Sequence, residues 1–89
     1  MFVYELVRQQ TKRSNTDIKS CITLGHWADE VKCTLKLHER INGHFKRMET
    51  RGLNPSWIND VWMTEFQYVN DNDELIEVEY SIHQHHVQD

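Results

Sequence analysis

Hydrophobic residues change period along this chain, and that change limits the folds open to it. From Phe2 to Arg8 and again from Leu75 to Val87 the pattern alternates, whereas from Trp27 to Arg51 apolar residues recur every three to four positions. Period two belongs to strands and period 3.6 to helices. In the last segment Ile76, Val78, Tyr80 and Ile82 stand against Glu77, Glu79, Ser81 and His83, the pattern of a strand with one face buried and the other in water. At the start, Phe2, Tyr4 and Leu6 stand against Val3, Glu5 and Val7. Ile18 to Leu24 is expected as a second strand that stops at Gly25, with Gln9 to Asp17 as a polar loop before it. Val61 to Val69 is dense in β-formers and, joined to Leu75–Val87 through the polar turn NDNDE, predicts a hairpin. Leu53 to Asp60 (LNPSWIND) reads as a loop or a single helical turn, punctuated by Asn54 and Pro55 and anchored by Trp57.

On a projection of about 100° per residue, Trp27, Val31, Leu35, Leu37, His38, Ile41, Phe45 and Met48 fill an arc roughly 160° wide. This is the face expected to pack on the sheet. Asp29 and Glu30 near the start and Lys46, Arg47 and Arg51 near the end suit the macrodipole, and Gly52 predicts the stop. Gly43 costs about 1 kcal/mol relative to alanine inside a helix and is expected to mark a bend. The fold class is therefore α+β, a small antiparallel sheet in the order β-β-α-β-β with one amphipathic helix on one face. Residues 1–89 form a single domain, because 89 residues supply one core. The hairpin has apolar residues on both sides, Val61 and Met63 opposite Trp62, Phe66 and Tyr68. One helix covers only one of those sides, so a partner or a second copy, a homodimer, is expected on the other.

Charge is divided along the chain. Residues 1–52 carry ten bases and six acids, a net +4, and residues 53–89 carry eight acids and no base, a net −8. On the predicted helix Lys32, Lys36, Arg40, His44, Arg47 and Arg51 form a basic stripe. Like charges four residues apart cost about 0.2–0.5 kcal/mol per pair, so the stripe invites a counter-charge: solvent ions, a phosphate backbone or an acidic partner chain. On the predicted hairpin Glu65, Asp71, Asp73, Glu74, Glu77 and Glu79 form an acidic surface. With no Lys or Arg after Arg51, ion pairing inside the hairpin is impossible and its field is expected to project outward. The plain reading is an edge kept soluble. The sharper one is a set of carboxylates that imitate phosphates and occupy a nucleic-acid-binding groove on another protein.

Metal chemistry has little support. The NDNDE turn lacks the glycine and the distant bidentate glutamate of a calcium loop. His83 and His85 point to one side, but zinc takes three or four ligands, and Cys21, Cys33, His26, His38 and His44 have no ligand spacing. The terminal run His83, His85 and His86 instead gains charge toward pH 6 and would partly neutralise the neighbouring carboxylates. On the helical projection Cys33 faces the basic stripe, and His38 falls in the apolar arc as a hydrogen-bonded residue at the core edge. No cofactor is expected. Neither a nucleophile with a neighbouring His and Asp nor a glycine-rich phosphate loop can be picked out, so the chain reads as non-enzymatic. Two cysteines without a CxxC spacing suit a reduced, cytoplasmic protein. The N-terminus reaches charge at Glu5 and no 18-residue apolar run exists, so neither export nor a membrane is expected.

A strand directly after the initiator methionine (MFVYELVR), one central amphipathic helix (HWADEVKCTLKLHERI) and a closing strand with alternating polar residues (VEYSIHQHHV) together resemble the small accessory proteins of bacteriophages. That resemblance implies action without catalysis, by binding and blocking a host enzyme or an antiviral defence factor in the host cytoplasm. The expected function is thus an inhibitor or adaptor that binds a basic protein surface through Glu65, Asp71, Asp73, Glu74, Glu77 and Glu79. Two alternatives use the basic stripe: nucleic-acid binding through Lys32, Lys36, Arg40, Arg47 and Arg51, or an oligomeric sponge for nucleotides.

Overall fold

The structure, a computed structural model, describes residues 1–12, 15–53, 56–60 and 62–87, with the backbone alone for 15–19 and 56–60. The elements run β1 (Phe2–Lys12), β2 (Asn15–Trp27), α1 (Glu30–Thr50), β3 (Ser56–Asp60), β4 (Met63–Val69) and β5 (Leu75–His86). The strands join in one antiparallel sheet of order β2-β1-β5-β4-β3. Helix α1 lies across one face, the expected α+β arrangement. The two ends of the chain form its centre: β1 and β5 pair from Phe2 opposite His86 to Lys12 opposite Ile76.

That central ladder corrects the expected loop at Gln9–Asp17. Gln9, Gln10, Thr11 and Lys12 continue β1 and pair with β5, and all four also pair with β2. Hydrogen bonding on both edges of a strand outweighs the weak β propensity of its side chains. Strand β2 likewise runs past both expected ends, from Asn15 through Gly25 to Trp27. The register passes from Leu6 opposite Gly25 to Val7 opposite Thr23, which leaves Leu24 as the extra residue of a bulge. A Cβ on Gly25 would stand 2.5 Å from the Trp27 ring, so the glycine admits that ring rather than ending the strand.

Trp27 therefore belongs to β2, and α1 begins at Glu30. The Asp29 carboxylate accepts from the backbone N–H of Val31 at 2.8 Å and of Lys32 at 3.4 Å, an N-cap that satisfies otherwise unpaired amides. Gly52, at φ 72°, closes the helix where expected, and the Leu53 amide returns to the Met48 carbonyl at 2.9 Å. Ser56–Asp60 corrects a second expectation: it is neither loop nor helical turn but strand β3, paired along β4 from Ser56 opposite Gln67 to Asp60 opposite Met63. An open ladder edge on β4 recruits it, and that edge exists only once the sheet has formed. Asn54, Pro55 and Val61 lie outside the described residues, as does the side chain of Trp57.

The core gathers Leu6, Phe66, Ile76, Val78, Tyr80 and Ile82 from the sheet with Cys33, Leu37, Ile41 and Met48 from α1. The buried face of the helix is turned by roughly 60° from the expected arc. Val31 and Leu35 are 65% and 63% exposed, and His38 faces solvent rather than the core edge. Cys33, expected beside the basic stripe, is fully buried, its Sγ 3.8 Å from the Tyr4 carbonyl oxygen. The sheet supplies the reason. Phe66 and Tyr80 stack at 6.3 Å, and His44 and Phe45 each set their rings edge-on to Phe66 at 5.0 Å. Those aromatic contacts choose the face that docks.

Candidate functional site

Strand alternation sends Leu6, Val78, Tyr80, Ile82 and Phe66 to the helix and leaves their neighbours on an open face. That face carries Glu5, Val7, Gln9 and Thr11 of β1, Glu77, Glu79, Ser81, His83 and His85 of β5, and Met63, Glu65 and Gln67 of β4. None of these is a lysine or arginine; the base at a register position of this face is Lys19 of β2, opposite Thr11. Glu65 stands directly opposite Glu79, and Glu79 is flanked on its other side by Gln9. Like charges directly opposed across a ladder destabilise it.

A groove of about 620 Å³ runs along this face, with Glu5, Thr23, Met63, Glu79, Ser81 and His85 among its walls. Glu5 is its most connected group. Its carboxylate accepts from the Thr23 hydroxyl at 2.6 Å, meets His85 Nε2 at 2.8 Å, and lies 3.8 Å from His26 Nε2. The Thr23 hydrogen bond first, and then that of His85, holds the Glu5 carboxyl below the usual range. Neither Glu5 nor Thr23 stands out in the sequence, since their meeting depends on β1–β2 register. Ser81 Oγ lies 2.9 Å from His83 Nε2, but among the described residues no carboxylate orients that imidazole as an activated nucleophile requires. No group of three His, Cys, Asp or Glu is placed to hold a metal among the described residues.

The six acids expected to act together divide. Glu65, Glu77 and Glu79 share the open face, while Asp71, Asp73 and Glu74 belong to the turn. Asn70 Oδ1 shapes that turn by accepting from the Asn72 and Glu74 amides, both at 2.9 Å, with Asp73 at φ 61°. The outward field expected of the hairpin is corrected for two of its turn acids, which bases from outside the hairpin meet. Arg51, at the end of α1, donates to Asp71 at 2.7 Å, and Lys12, at the end of β1, pairs with Glu74. The Lys12 contact holds the Glu74 carboxyl below its ordinary value, with Asn70 adding to the effect. Both bases come from the other half of the chain, brought alongside by the central position of β1 and the length of the helix.

The basic stripe divides as well. Lys36 lies 3.2 Å from Glu39, and Arg51 is held by Asp71; Lys32, Arg40 and Arg47 are exposed. His44 leaves the stripe. It is half-buried against Phe66 and Tyr80, with its Nδ1 2.9 Å from the Tyr80 hydroxyl, and burial, then Arg47 and Arg8, lowers its pKa to about 4. Arg40 and Arg47 are instead joined by Arg8 of β1 around one cavity. Arg8 occupies the same phase of β1 as the buried Leu6, and a charge at a core-facing position is the sequence signal that could have found it.

The chain matches no protein family, no curated protein and no solved structure. No helix among the described residues is long and apolar enough to cross a membrane.

Proposed function

We propose that this chain is a non-enzymatic binding protein that docks on a basic protein surface through the open face of its sheet and blocks it. The observation that carries the proposal is the direct opposition of Glu65 and Glu79 on a face where β1, β4 and β5 present no lysine or arginine. Such an arrangement costs stability in the free chain, and a basic partner relieves it. Glu77 lies on the same surface along β5 but is itself engaged within the protein, so the proposal rests on Glu65 and Glu79. The turn acids contribute less, because Asp71 and Glu74 already hold Arg51 and Lys12. Carboxylates spaced on a flat sheet face also suit imitation of a phosphate backbone, so the fitting partner is a protein whose basic surface ordinarily receives nucleic acid.

The resemblance to bacteriophage accessory proteins supplies the setting of this proposal: a host enzyme or defence factor in the cytoplasm, inhibited by occupation of its groove. Affinity purification of the tagged chain from its native cell, with and without nuclease, tests it. A protein retained after nuclease by the wild type and released by the triple variant Glu65→Lys, Glu77→Lys, Glu79→Lys is the expected result. Retention of the same protein by that triple variant, or loss of every partner on nuclease treatment, overturns the proposal.

A further inference from the structure

On the side of the sheet covered by the helix, Arg8 of β1 and Arg40 and Arg47 of α1 line one cavity of about 340 Å³, with Leu24, Gly43 and Tyr80 among its walls. Glu39 also lines it, but its carboxylate is engaged by Lys36 Nζ at 3.2 and 3.3 Å. Among the described residues none of the three arginines is within ion-pair distance of a carboxylate. Three guanidiniums around one concavity repel one another, and Arg8 stands in the core-facing phase of a central strand, opposite the buried Tyr80. Arg8 is half-buried there, while Arg40 and Arg47 are exposed, and an anion is the counter-charge that this arrangement lacks.

Gly43 points the same way. Alanine would favour the helix by about 1 kcal/mol, and a Cβ at this position would meet only Arg47 Nη1, at an ordinary 3.5 Å. Backbone packing therefore does not demand glycine, and its missing side chain leaves this wall of the cavity open. Guanidinium groups present planar forks of donors that fit the oxygens of a phosphoryl group in pairs. The cavity is at the small end of the roughly 300–1,000 Å³ range of ligand pockets, and Lys36 and Arg51, which would extend a track along the helix, are held by Glu39 and Asp71. A compact anion fits this geometry better than a polymer backbone.

We propose that Arg8, Arg40 and Arg47 form a binding site for a small phosphate-bearing molecule, recognised by its one or two phosphoryl groups. The site is independent of the acidic face, from which the sheet separates it. Titration calorimetry and thermal shift with inorganic phosphate, pyrophosphate and AMP test the proposal, alongside a short DNA duplex. Pyrophosphate or AMP is expected to bind one-to-one and to raise Tm, and Arg8→Gln and Arg47→Gln each to weaken binding by roughly tenfold or more. Lys46→Gln, at an exposed position outside the cavity, is expected to leave affinity unchanged. Gly43→Met keeps all three arginines and favours the helix while filling the cavity, so lost binding with undiminished Tm separates occupation of the site from damage to the fold. Tighter binding of AMP than of inorganic phosphate would place the source among nucleotides, and equal binding would place it in free phosphate; either supports the site. No binding of the three small anions at about 10 mM, where a site of millimolar affinity would raise Tm, overturns it. So does full affinity in Gly43→Met and Arg47→Gln, or binding of the duplex alone.

Discussion

Glu65 on β4 and Glu79 on β5 face each other across the ladder, two carboxylates placed where a sheet gains from opposite charges. Replacing Glu65 with threonine is expected to stabilise the free protein by about 0.2–1 kcal/mol in urea unfolding at low salt. The gain is expected to shrink at high salt, as the repulsion is screened. A destabilised variant would show that Glu65 makes a contact worth more than the repulsion it removes.

His44 makes stability depend on pH. Its imidazole is held down at about 4 in the fold and protonates near 6.5 in the unfolded chain. Between those values the unfolded state binds the extra proton, so this contribution is complete above about pH 6.5 and drains away as pH falls toward 4. The loss is of order 1–2 kcal/mol, reduced from the full linkage value because the half-buried ring is partly screened by water. His44→Gln retains a hydrogen-bonding group for Tyr80 without titrating, and is expected to flatten the slope of stability between pH 6.5 and 4.5.

Gly25→Ala puts a methyl group 2.5 Å from the Trp27 ring, closer than packed atoms approach. The ring must move from its place against the core, and a loss of about 1–3 kcal/mol is expected by chemical denaturation. Trp27 fluorescence, read in a variant with the other two tryptophans replaced by phenylalanine, is expected to change with it. Gly43→Ala, with its ordinary 3.5 Å contact, is expected to move stability the other way.

The two thiols differ in access. Cys21 is exposed and Cys33 buried, and burial pushes the Cys33 thiol up. Under native conditions a maleimide is expected to add once per chain, at Cys21, with the second addition following global unfolding. Mass spectrometry of the digested adduct locates it. Rapid labelling of Cys33 in the folded state would place that residue outside the core.

Much of the fold was legible in local pattern. Alternation in Phe2–Arg8 and Ile76–Ile82 and helical spacing before Gly52 determine strand, helix and α+β class, because period reports directly which faces can be buried together. The identity of the acidic residues on Glu77 and Glu79's face was legible for the same reason. Local pattern could not choose the docked face of α1. Val31 and Leu35 are as apolar as Leu37 and Ile41, and only the rings of Phe66 and Tyr80 beneath His44 and Phe45 decide between them. Nor could it place β3, whose pairing partner is created by the sheet.

The division of charge into a basic half and an acidic half is a property of the sequence alone. Which charges remain available is a property of the tertiary structure, because Coulomb interactions depend on distance in space and not along the chain. Folding brings Lys12 to Glu74 and Arg51 to Asp71, and it gathers Arg8 with Arg40 and Arg47 at one cavity. Two broad surfaces thus become a narrower acidic sheet face and one compact basic pocket.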